Sequence, residues 1–120
     1  MLAGFFRGWK AAPSIEGHLQ ILRTSPYVVL ALDESTGNVV GFIYAITDGL
    51  LNAYVPMLEV LSQFRRQGIG KDLVRRMLQE LDKYYMVALL CDPELQPFYD
   101  SCGMIQATGR KRRNFTSKES

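Results

Sequence analysis

Apolar residues recur along this chain with two different periods, and the switches between them divide it into elements. After Pro13-Ser14 they fall at Ile15, Leu19 and Leu22, one face of a helix, and Ser14 is a good N-cap. Ser25-Pro26 ends that helix, because the residue before a proline is driven out of the helical region. Tyr27 to Leu32 is a run of β-formers, Asp33 to Asn38 is rich in turn residues, and Val39 to Thr47 is a second such run, which predicts an antiparallel hairpin. Asp48-Gly49 marks another turn. The next strand is predicted within Ala53–Leu61, where Pro56 signals an irregularity or an edge. Ile69, Leu73, Met77 and Leu81 then recur every fourth residue, with Val74 and Leu78 beside them. Lys71, Asp72, Arg75, Arg76, Gln79 and Glu80 fill the opposite face, so this helix is expected to pack one side on a sheet and wet the other. Met86 to Cys91 is continuously apolar and of strand length, which suits a strand buried on both faces. Gln96 to Cys102 reads as a short helix ended by Gly103 at C′, and Met104 to Thr108 as a last strand. The first eight residues, with two glycines and two phenylalanines, carry no assignable pattern.

This order of elements predicts a mixed α/β sheet, with the strand–helix–strand unit from 55 to 91 forming a right-handed parallel crossover. At 120 residues, without repeats, low-complexity segments or linkers, one domain is expected over residues 1–109, followed by a basic tail, 110–120.

Composition changes little in this picture. Hydrophobic residues make up 48% and charged residues 22%, ordinary values for a folded soluble protein. No apolar run reaches the roughly 18 residues of a membrane span, and the N-terminus lacks the basic-then-apolar order of a secretion signal, so a cytoplasmic protein without a membrane partner is expected. The net charge of +2 is unevenly placed: residues 110–120 hold five bases and one acid, which leaves the rest slightly acidic. A basic tail can touch nucleic acid or acidic lipid, but this one lacks length and interleaved aromatics and reads as a solvated end. Cys91 and Cys102 make neither a disulfide framework nor a zinc site, and one histidine, His18, read as a helix-surface residue, argues against multi-histidine metal chemistry.

The chemistry concentrates in Gln63-Phe64-Arg65-Arg66-Gln67-Gly68-Ile69-Gly70-Lys71, where a strand becomes a helix. A helix start offers unpaired N–H groups and the positive end of the helix dipole, a geometry that binds phosphate oxygens. A dinucleotide fingerprint, G-x-G-x-x-G, would need glycine where Leu73 stands. A Walker A loop would need glycine at Arg65 and a hydroxyl residue at Asp72, whose charge would also repel a triphosphate. The pattern Arg/Gln-x-x-Gly-x-Gly/Ala does fit, as Arg65-Arg66-Gln67-Gly68-Ile69-Gly70, and resembles the cofactor loop of the Gcn5-related N-acetyltransferase (GNAT) superfamily. A second, correctly ordered segment, Phe98-Tyr99-Asp100-Ser101-Cys102-Gly103-Met104, resembles the family's Phe-Tyr-x-x-x-Gly-Phe. With Leu58-Glu59-Val60 before the loop, the resemblance covers roughly residues 15 to 106. It departs from the family at the start, where a further strand and helix usually precede, and that would shorten the acceptor pocket.

The resemblance implies a mixed, mostly antiparallel sheet with a splayed parallel pair, flanked by helices, and acetyl-CoA as cosubstrate with no metal. Amides of residues 66 to 71 would then converge on the pyrophosphate, with Gly68 and Gly70 allowing close approach and Arg65, Arg66 and Lys71 adding charge. By the same resemblance the pantetheine arm pairs with Leu58 and Val60 like an added strand, with Leu61 close by. Gln67, Ile69 and Phe98 complete the implied cofactor contacts. Tyr99 occupies the family's general-acid position, and Glu59 is the candidate base, with Asp92 and Glu94 as weaker ones. An N–H near Leu58 is the implied oxyanion donor. Cys91 has no histidine placed by sequence to activate it, which favours direct transfer in a ternary complex. Phe5, Phe6, Trp9 and Tyr54 either line an acceptor pocket or serve as core or dimer contacts, so a homodimer is allowed, whereas nucleic acid is not expected as a partner. The acceptor is an unidentified amine of a small molecule or peptide. The competing reading is a non-catalytic acyl-CoA-binding or regulatory domain of the same fold.

Overall fold

In the computed structural model, residues 2–7, 9 and 12–114 are described. Helix α1 (Ile15–Thr24) starts where Ser14 Oγ accepts the Gly17 N–H at 3.0 Å and ends at Ser25, ahead of Pro26. Strands β1 (Tyr27–Leu32) and β2 (Val39–Thr47) form the expected antiparallel hairpin, and β3 (Asn52–Val60) pairs antiparallel on the far side of β2. A single 3-10 turn and a glycine-bearing loop lead into α2 (Ile69–Glu80). The chain then returns as β4 (Met86–Ala88), parallel to β3, and closes with α3 (Gln96–Ser101). The sheet order is β1-β2-β3-β4.

Successive residues of β2 face opposite sides of the sheet, and each side has its own core. Ile43 and Ala45 join Val55 and the α2 stripe of Leu73, Val74, Met77 and Leu81. Phe42, one residue away, joins Val39, Leu22 of α1, Leu2 and Phe6. The helix α2 stripe is therefore the one its four-residue spacing predicted.

Three expectations are corrected. His18 is 3% exposed rather than on the surface, because α1 turns the His18–Leu22 line inward and leaves Ile15 at 57% exposure. Its ring sits among Phe5, Phe6 and Phe42, at centroid distances of 5.6, 4.9 and 4.5 Å. The strand expected over Met86–Cys91 keeps only three paired residues, with Met86 and Ala88 exposed, because it lies at a sheet edge and leaves β3 after Ala88. Residues 104–108 form no strand, and Ile105 is 90% exposed. Gly103 does end α3, at φ +86°: its N–H bonds the Asp100 carbonyl and the Met104 N–H bonds that of Tyr99, the paired bonds of a Schellman motif.

Candidate active site

The site begins where the parallel pair comes apart. Tyr54 and Ala88 are the last partners of β3 and β4. Beside them the β2–β3 register shifts between Tyr44–Met57 and Ile46–Tyr54, so β3 carries one extra residue around Val55-Pro56. A bulge and a residue without an N–H thus coincide with the opening of the sheet, the irregularity Pro56 announced. Beyond it, Leu61 N donates to the Val40 carbonyl on β2. Backbone groups of an antiparallel strand alternate in direction, so those of Val60 and Leu58 point the other way, into the splay. The Val60 carbonyl accepts from Arg65 Nε at 2.9 Å, which ties the first residue of the loop motif to the strand before it.

The loop itself enters α2 through Gly68, which is the N-cap at φ +81°. A β-carbon there would meet nothing within 4 Å, so the left-handed backbone, not crowding, is what calls for glycine. Arg66 also has a positive φ, +64°. Among the described residues no side chain caps the helix start, leaving its first-turn amides to an outside acceptor. Gly70 lies under Phe98, whose Cζ would stand 3.6 Å from an added β-carbon, so the two motif segments meet here. Arg66, Gln67 and Lys71 are exposed around this start. Asp72 is occupied by Arg75 and Arg76, whose hydrogen bonds hold its carboxyl below the usual range.

The splay opens into a cavity of about 820 Å³. One wall is Tyr54, Pro56, Met57 and Leu58 of β3, and the other is Leu90, Cys91, Asp92 and Leu95 beyond β4. Tyr99 lines it from α3 and is only 9% exposed. Burial, then the neighbouring Cys91 and Cys102, push its hydroxyl up to about 12. Cys91 accepts from Gln96 Nε2 at 3.4 Å, and burial followed by the Asp92 and Glu94 carboxylates raises its thiol. A raised thiol is a poor nucleophile near neutrality.

Glu59 is not among the residues lining this cavity. It stands opposite Phe42 in the β2–β3 register, on the sheet face of the aromatic cluster, and both its carboxylate oxygens accept the Phe6 N–H at 3.3 Å. Phe6 has φ +63°, a costly conformation for a bulky residue, held here by its buried ring and by Glu59. The four aromatic candidates divide: Phe6 is core with Phe5 packed against it, Tyr54 lines the cavity, and Trp9 does both, its ring edge-on to Phe6 at 5.2 Å. Sequence reading missed one wall altogether. The segment Gly109–Asn114 folds back over Leu90, with Leu90 Cδ2 3.2 Å from where a Gly109 β-carbon would lie, and its basic residues face the cavity. Their clustering was visible in the sequence, but nothing in it told where the clustered charges would fold.

Residues 2–104 match the model of the acetyltransferase (GNAT) family, so the chain belongs to that family. It is 42% identical to a candidate acetyltransferase of known structure from Deinococcus radiodurans, covering 94% of this chain and 78% of that one with a TM-score of 0.89. A GNAT-family acetyltransferase structure from Streptococcus pneumoniae is 32% identical over 84% of this chain and 80% of that one, with a TM-score of 0.70. GCN5-related N-acetyltransferase 3, chloroplastic, of Arabidopsis thaliana is 39% identical over 74 residues, 60% of this chain. The match spans 31% of that plant protein's length. The mixed sheet with one parallel pair and three flanking helices is the family's fold.

Proposed function

We propose that the protein is an N-acetyltransferase that moves the acetyl group of acetyl-CoA onto a primary amine by direct attack within a ternary complex. The observation that carries this reading is the splay itself: a strand edge with the backbone groups of Leu58 turned into a cavity walled by the buried Tyr99. The residues present suit the cosubstrate. Unpaired amides at the start of α2, with Arg66, Gln67 and Lys71 around them, suit a pyrophosphate. An open strand edge suits the amides of a pantetheine arm.

The cosubstrate supplies a thioester-activated acetyl group. The amine lone pair attacks the carbonyl carbon, an N–C bond forms and the C–S bond breaks. One proton leaves nitrogen and one arrives at sulfur. The Leu58 N–H is the candidate donor to the developing oxyanion. Tyr99 is the candidate donor to sulfur. With its hydroxyl near 12 and a free thiol near 8.5, full transfer from Tyr99 is uphill by about 5 kcal/mol, so it acts as a hydrogen-bond donor whose proton shifts as the C–S bond breaks. Asp92, on the cavity wall, can receive the amine proton directly or through water, and Glu59 can do so only through water or a shift of the N-terminal segment. The raised Cys91 thiol argues for direct transfer over an acyl-enzyme.

The test is a panel of amines and short peptides with acetyl-CoA, read by free-thiol release, alongside thermal shifts with acetyl-CoA, NAD and ATP. Amine-dependent thiol release, with stabilisation by acetyl-CoA alone, is expected. Stabilisation by acetyl-CoA without turnover on any amine would instead favour the non-catalytic acyl-CoA-binding alternative.

A further inference from the structure

We infer that the amine accepted at this site carries an anionic group, a phosphate or a carboxylate, bound by the basic segment that closes the cavity. The inference deepens the acetyl-transfer reading and rests on it. Arg110, Lys111, Arg112 and Arg113 all line the cavity that Tyr99 and Leu58 share. Among the described residues, Asp92 is the one carboxylate in the cavity wall, so four cations face a single anion. Among the described residues none of the four cations has an ion-pair partner. Charges gathered around about 820 Å³ lie within roughly a Debye length, about 8 Å at physiological salt, of anything held inside. A cavity so lined concentrates anions and repels a simple cationic amine. Arginine in particular offers forked donors that match phosphate and carboxylate oxygens.

These cations are not an extension of the cosubstrate's phosphate site. The loop from Arg65 to Lys71 contributes no residue to this cavity, so the chain has two separate basic features. One surrounds the start of α2, and the other lines the cavity beside Tyr99 and Leu58. Asp92 complements the second: it holds the ammonium end while the cations hold the anionic end, which orients a zwitterionic acceptor. The aromatic walls, Trp9 and Tyr54, cover the apolar stem between the two ends.

Trp9 is the one tryptophan of the chain and lines the cavity, so its fluorescence reports occupancy without requiring turnover. O-phosphoethanolamine and ethanolamine differ only in the anionic group and serve as the matched probes. Each is titrated at low and high salt into the wild type and into the fourfold variant R110Q/K111Q/R112Q/R113Q, whose substituted positions are all exposed. The wild type is expected to bind the phosphorylated amine at least about tenfold more tightly, with the advantage shrinking at high salt and lost in the variant. Equal binding of the two probes by the wild type overturns the inference, as does a preference that survives the fourfold change. So does a variant that loses affinity for acetyl-CoA instead, since the cations would then belong to the cosubstrate. If the preference holds but neither probe, nor any other amine, releases thiol from acetyl-CoA, the anion site stands and the acetyl-transfer reading falls.

Discussion

Tyr99→Phe removes one oxygen from the cavity wall and leaves the ring that packs edge-on against Phe98 at 4.9 Å. If the hydroxyl donates to the departing sulfur, its loss removes a hydrogen bond that strengthens only in the transition state. Removal of one such donor in a preorganised site costs about 2.7–4 kcal/mol, roughly a hundredfold to a thousandfold in kcat. Because the Tyr99 proton is held to about 12, it is transferred late, and the smaller end of that range, with tenfold as the floor, is the expected loss. Acetyl-CoA affinity should hold, since the implied phosphate and pantetheine contacts lie on α2 and β3. A second readout separates the proton from the packing. A hydroxyl whose folded value lies above the usual 10 holds its proton more tightly in the folded state. Its contribution to stability is full below pH 10 and fades as pH rises from 10 towards 12. At pH 11 the wild type should have lost about 1.4 kcal/mol relative to neutral pH through this group, and Tyr99→Phe should lack that loss. Steady-state thiol release gives the first measurement and urea unfolding at the two pH values the second. Unchanged kcat in Tyr99→Phe would refute the donor role, whatever the stability profile does.

Gly68→Ala forces a β-carbon into the left-handed region, so it should cost roughly 1–2 kcal/mol of stability and, by turning the first amides of α2, weaken acetyl-CoA binding in a calorimetric titration. An unchanged affinity would detach that helix start from the phosphates. His18 is buried, its Nε2 has no hydrogen-bond partner among the described residues, and burial lowers its pKa from 6.5. A lowered value means the unfolded chain binds the proton better, so stability is full above pH 6.5 and declines as pH falls below it. His18→Phe should abolish that acid limb in paired unfolding curves at pH 7.5 and 5.5, and parallel limbs would assign the loss to other groups. Arg65→Ala frees the Val60 carbonyl and should loosen the loop, raising the KM for acetyl-CoA with little effect on kcat; a kcat effect alone would argue against an anchoring role.

Much of the fold was legible because local pattern and tertiary need agreed. In β1 and β2, β-forming runs bounded by turn residues match the strands residue for residue; Ser14 caps α1 through its hydroxyl, and Gly103 ends α3 through its left-handed backbone. The failures share a physical cause. Met86–Cys91 is apolar because Val87, Leu89 and Cys91 pack on the core, yet the backbone leaves its partner after Ala88, and hydrophobicity does not encode where a sheet opens. His18 is a polar residue in a buried stripe, visible only once Phe5 and Phe6 fold over it. At the site, the loop and Tyr99 could be read because glycine geometry and motif order are local properties. The basic wall of the cavity could not, because a run of exposed charges carries no mark of the surface it will cross.

A single-turnover reaction of the protein with isotope-labelled acetyl-CoA and a responsive amine, quenched over time and resolved by mass spectrometry, tests the central claim most directly. The label should pass to the amine nitrogen as free thiol appears, with the protein unmodified throughout. Label accumulating on the protein, at Cys91 above all, or acetyl-CoA bound but never consumed, would contradict direct acetyl transfer at the splay.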